Sequence, residues 1–107
     1  MNEIELKIPE NARSLDEIEE LIELVLSEVK PDIKRKFIYQ ISDEVKIIKW
    51  LDEAKTEVEF ALAETHTFLN PPLIVFYLKP LQTLVDKDLY GRLRRLVSHE
   101  VAHVFGA

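Results

Sequence analysis

Six consecutive apolar residues, Leu73-Ile74-Val75-Phe76-Tyr77-Leu78, stand between the turn segment Asn70-Pro71-Pro72 and Lys79-Pro80. A run of this length, bounded by turn residues and lacking a polar face, reads as a buried strand. The other elements therefore have to cover it. With 107 residues, the chain is one domain, 1–107, able to hide roughly two-thirds of its unfolded surface around a single core. It contains no cysteine, so neither disulfides nor thiolate metal ligands contribute.

The covering elements are legible in part. Ser14, with Glu17 three residues on, has the spacing of a capping box and opens a helix. Leu15, Ile18, Ile22, Val25 and Val29 form its apolar stripe, and Lys30-Pro31 predicts its end. From about Asp86 to Phe105 the period is again helical, with Leu89, Leu93, Val97, Val101 and Val104 on one side. Gly106 stands where a left-handed cap is favoured. Val58, Phe60 and Leu62 alternate with Glu59, Ala61 and Ala63, the pattern of a strand with one wet face. Ile4 to Ile8 alternates in the same way before Pro9. Residues 33–55 fit two readings. Ile33, Phe37, Ile41, Val45 and Ile48 make a helical stripe, whereas Phe37-Ile38-Tyr39 and Val45-Lys46-Ile47-Ile48 suit short strands. We expect mostly helix to about Ser42. The fold class expected is α+β, a small sheet with helices.

Composition narrows the function classes. The formal charge is −6, which argues against nucleic acid or an anionic membrane as the main partner. The whole excess lies in residues 1–30, and residues 31–107 carry eleven charges of each sign. The acidic first part reads as a solvated helix face. No apolar run reaches the roughly 18 residues that a membrane span needs, and no basic-then-apolar leader is recognisable, so a cytoplasmic location is expected. The abundance of Glu, Lys, Ile and Val leans toward a thermophilic source.

One motif carries chemistry. His99-Glu100-Val101-Ala102-His103 is H-E-x-x-H on the last helix. Histidines four apart stand one turn from each other on one face, so both imidazoles reach a single ion. Glu100 lies about 100° further round, close enough to accept a proton from a metal-bound water attacking a peptide carbonyl. A chain of this composition would produce the pattern by chance about 0.01 times. The plain alternative is a pair of surface histidines on a Glu-rich helix.

With that motif, the strand 73–78 and an edge strand around 63–69, residues from about 61 to 106 resemble the core of a zincin metallopeptidase of the gluzincin type. They also resemble the soluble minimal gluzincins. The resemblance implies a small mixed sheet packed on a backing helix and a C-terminal active-site helix, with an extended substrate lying along the edge strand. It also implies a zinc ion held by His99 and His103, with Glu100 as general base. Gluzincins take a third ligand from a downstream helix, and only Val104 to Ala107 follow here. The third ligand is therefore left among His66 on the expected edge strand, a carboxylate such as Glu64 or Asp86, another subunit, or a further C-terminal segment. The functional expectation is a zinc-dependent metalloendopeptidase acting on peptide or protein substrates. The competing expectation is an inactive or latent metal-binding module that self-associates.

Other residues have plainer readings. Arg92 and Arg95, near the His99 face, suit either a substrate carboxylate or solvent. Gly91, inside the last helix, suggests close packing against another backbone. Val101, Val104 and Phe105 need cover at the end of the helix, from which a homo-oligomer, most simply a dimer, is expected.

Overall fold

A computed structural model describes residues 6–32, 36–54 and 57–105. Helix α1 spans Leu15–Val29, and its first N–H groups are capped as the sequence predicts: the Ser14 hydroxyl accepts from the Glu17 amide. Ile18, Ile22 and Val25 of the expected stripe are buried, joined by Leu26. Pro31 lacks the donor that would continue the ladder, yet Lys30 keeps right-handed helical angles. The chain tightens there into a 3₁₀ turn, Lys30–Asp32.

The expected helix to Ser42 is not formed over residues 36–42, and its start at 33–35 lies outside the described residues. Residues 38–42 are instead strand β1 (Ile38–Ser42), followed by β2 (Ile47–Trp50), β3 (Val58–Phe60), β4 (Ala63–His66) and β5 (Leu73–Tyr77). The physical reason is a remote partner. β1 pairs in parallel with β5, Ile38 opposite Leu73 through Ser42 opposite Tyr77, and local periodicity carries no trace of that pairing. β4 pairs antiparallel with the other side of β5, so the three-stranded sheet is mixed, in the order β1-β5-β4. β2 and β3 make a separate antiparallel ribbon. Of the expected first strand, Ile4 and Glu5 lie outside the described residues, and Leu6 to Ile8 join no strand. Gly106 also lies outside them.

The apolar run behaves as its composition demands. Ile74 and Phe76 face the helices with Ile18, Ile22, Leu93 and Val97, whereas Val75 and Tyr77 pack with Ala61 on the opposite side of the sheet. The strand ends at Tyr77, and Leu78–Leu81 forms a single helical turn, α2. Pro80 is tolerated there because first-turn donors have no intrahelical acceptor.

Helix α3 spans Leu89–Val104, and all five residues of its predicted stripe are buried. Val101 and Val104 are therefore covered by the domain's own core, and of the three residues expected to need a partner only Phe105 is exposed. No helix among the described residues is long and apolar enough to cross a membrane. Gly91 is explained by the start of the helix, not by a neighbouring backbone. The Asp88 side chain accepts from the Gly91 amide at 2.9 Å, and a Cβ at position 91 would stand 2.2 Å from Asp88 Oδ2. The glycine makes room for the cap.

Asp88→Ala is expected to lower stability by about 1 kcal/mol, and Asp88→Asn by much less. A denaturant midpoint that moves at constant m-value would show it.

Candidate metal centre

Rotation of α3 about its axis decides what its polar residues can reach. With the apolar stripe turned into the core, Glu100 falls at its margin and is only 7% exposed. His103 lies further round and is half-buried, and His99 is exposed. The two imidazole Nε2 atoms are 3.2 Å apart, with ring centroids at 4.7 Å and planes at 87°. Two nitrogens each about 2.0–2.1 Å from a tetrahedral ion stand about 3.3 Å apart. The observed spacing thus suits one shared ion. It also suits an N–H···N hydrogen bond when one ring carries its proton on Nε2, a proton that an ion entering between the rings would displace. Ligand atoms of His99, Glu100 and His103 all lie within 4.8 Å of one another.

Strand β4 supplies the facing wall. Thr65 Oγ1 donates to Glu100 Oε2 at 2.7 Å and lies 3.1 Å from the Glu100 carbonyl. Among the described residues no lysine or arginine pairs with Glu100. A carboxylate removed from water with only a hydroxyl as partner is costly. A divalent cation between the neighbouring imidazoles would supply the missing positive charge. The donor set and its spacing fit such an ion.

His66 is placed differently. Alternation along β4 sends Thr65 toward α3, and Glu64 and His66 to the other face of the sheet. His66 lines a cleft of about 330 Å³ together with Thr65, Glu100 and His103, but is not part of the three-residue cluster. Its Nε2 lies 3.5 Å from Glu64 Oε1, and its ring meets the Phe68 edge at 5.6 Å. Glu64, a sequence candidate for the third ligand, is already engaged. It takes hydrogen bonds from the Lys46 ammonium and, at 2.8 Å, from the Tyr77 hydroxyl. Burial pushes its carboxyl up, but the bonds from Lys46 and Tyr77 and the charges of Lys46 and His66 outweigh this and hold it below the usual value. Asp86 is exposed and stands outside the cluster. Arg95 lines a groove with His99; Arg92 does not.

Sequence reading missed the roles of Thr65, Lys46 and Tyr77. Thr65 bonds to Glu100 across 35 positions, and nothing in either local sequence announces that contact. No protein-family model, curated protein or solved structure matches this chain, so the chemistry of the site rests on its own residues.

Burial, the hydrogen bond to Glu64 and that carboxylate's charge push the Tyr77 hydroxyl up to about 12 from 10.0. The folded state therefore holds a proton that the unfolded state releases first, so this group's stabilisation is intact below pH 10 and is lost as pH rises toward about 12. Phenolate absorbance should show a late-ionising tyrosine that Tyr77→Phe removes.

Proposed function

We propose that this chain is a zinc-dependent metallopeptidase of zincin type. The observation that carries the reading is the placement of a buried, Thr65-bonded Glu100 beside two imidazoles whose Nε2 atoms stand at the separation a shared tetrahedral ion requires. His99 and His103 would hold the ion, and zinc there would supply an acidified water and polarisation of a carbonyl. Glu100 takes the proton of the attacking water and delivers it to the amine nitrogen as the C–N bond breaks and a carboxylate forms. Thr65 fixes the carboxylate in position, so that no rotamer search precedes proton transfer. His66 stands on the wall of the same cleft but outside the three-residue cluster, and its ring would have to turn away from Glu64, 3.5 Å from its Nε2, to serve as the third donor.

The roles separate on mutation. Replacing His99 or His103 by Ala should abolish zinc binding, measured as metal content of the purified chain, and unchanged zinc in the double variant would end the proposal. His66→Ala should lower zinc affinity if it is the third ligand and leave it intact if it is only a wall. Glu100→Gln should keep zinc while peptide cleavage falls by about 10²–10⁴-fold. Zinc bound without cleavage in the parent chain would instead identify a latent or inactive metal-binding module.

A further inference from the structure

The two neighbouring imidazoles line different depressions of the surface. His103 lines the β4 cleft, whereas His99 closes one end of a groove of about 590 Å³ on the outer side of α3. The other lining residues are Gly91, Arg94, Arg95 and Ser98. Among the described residues no carboxylate lines this groove, although the chain carries a net charge of −6. Its two guanidiniums differ in their freedom. Arg94 Nη1 is held at 3.1 Å by Glu28 and at the same distance by the Tyr90 hydroxyl, which also bonds to Glu28. Arg95 is exposed and has no ion-pair partner among the described residues. It stands one helical turn before His99, so a group bound there lies beside whatever His99 holds.

We infer that Arg95 is a specificity-determining residue that selects peptides carrying a carboxylate next to the bond at the metal centre. This rests on the metallopeptidase reading for the bond, and on the groove alone for the carboxylate. A guanidinium presents a planar fork of donors matched to a carboxylate, and its charge does not titrate away. The carboxylate is either a free C-terminus or an Asp or Glu side chain.

The test uses the full-length Glu100→Gln chain with and without zinc, so that turnover does not interfere. Anisotropy is read with three labelled peptides of one sequence: a free acid, a C-terminal amide, and an amide with Glu at the last position. At least about tenfold tighter binding of a carboxylate-bearing peptide than of the neutral amide is expected. Arg95→Gln should remove that preference, and Arg95→Lys should restore part of it, with zinc content unchanged throughout. Preference for the free acid alone assigns a C-terminal carboxylate; equal preference for the Glu peptide assigns either source. Equal binding of all three peptides, a preference that survives Arg95→Gln, or no binding by any peptide would overturn the inference. A chain that takes no zinc but keeps an Arg95-dependent preference would overturn the metallopeptidase reading and leave the carboxylate site standing.

Discussion

Burial of one stripe of α3 sets the geometry of everything around it. Leu89, Leu93, Val97, Val101 and Val104 are all within the core, and a helix locked by five such contacts cannot turn about its axis. At about 100° per residue, that lock places Glu100 on the edge of the stripe, His103 beyond it, and His99 and Arg95 on the outer side. Their exposure follows that order, from buried Glu100 through half-buried His103 to exposed His99 and Arg95. The polar residues of the helix thus owe their positions to apolar residues that touch no substrate. Shifting the stripe one residue toward the C-terminus would carry Glu100 into solvent, and shifting it one residue the other way would carry Glu100 and His103 into the core.

The second constraint comes from the sheet. β4 is held against β5 by a register that puts Thr65 opposite Ile74 and His66 opposite Leu73. Strand alternation then commits Thr65 to the helix side and Glu64 to the side of Tyr77. The outcome is two carboxylates with opposite surroundings on neighbouring elements. Glu64 is neutralised by Lys46 and hydrogen-bonded by Tyr77, which makes it a structural anion. Glu100 has a hydroxyl partner and no cation of its own among the described residues, which suits a group whose charge is to be met by something bound.

What could be read beforehand divides along the same lines. Helices α1 and α3, the caps at Ser14, the buried run at 73–77 and the His99–Glu100–His103 cluster are properties of residues within a turn or two of each other, and all were legible. β1 was legible only as the less favoured of two readings, the short strand at Phe37-Ile38-Tyr39: Ile38 is half exposed and Tyr39 exposed, and what makes them a strand is β5, 35 positions away. Gly91 was misread because its neighbour is the side chain of Asp88, and a cap competes with close helix packing as a reason for glycine. The expected dimer rested on Val101, Val104 and Phe105, of which the first two lie in the domain's own core and Phe105 is exposed.

The mixed sheet has a consequence for the order in which the centre comes into being. His99 and His103 are neighbours through one turn of helix, a contact that needs almost no chain closure. Thr65 meets Glu100, and Ile38 meets Leu73, only after a separation of 35 positions has been closed, and such non-local closures come late in folding. The imidazole pair is therefore formed as soon as α3 is ordered, while the carboxylate is seated only when β4 has docked. A nascent chain thus sets two imidazoles side by side before it seats the carboxylate beside them.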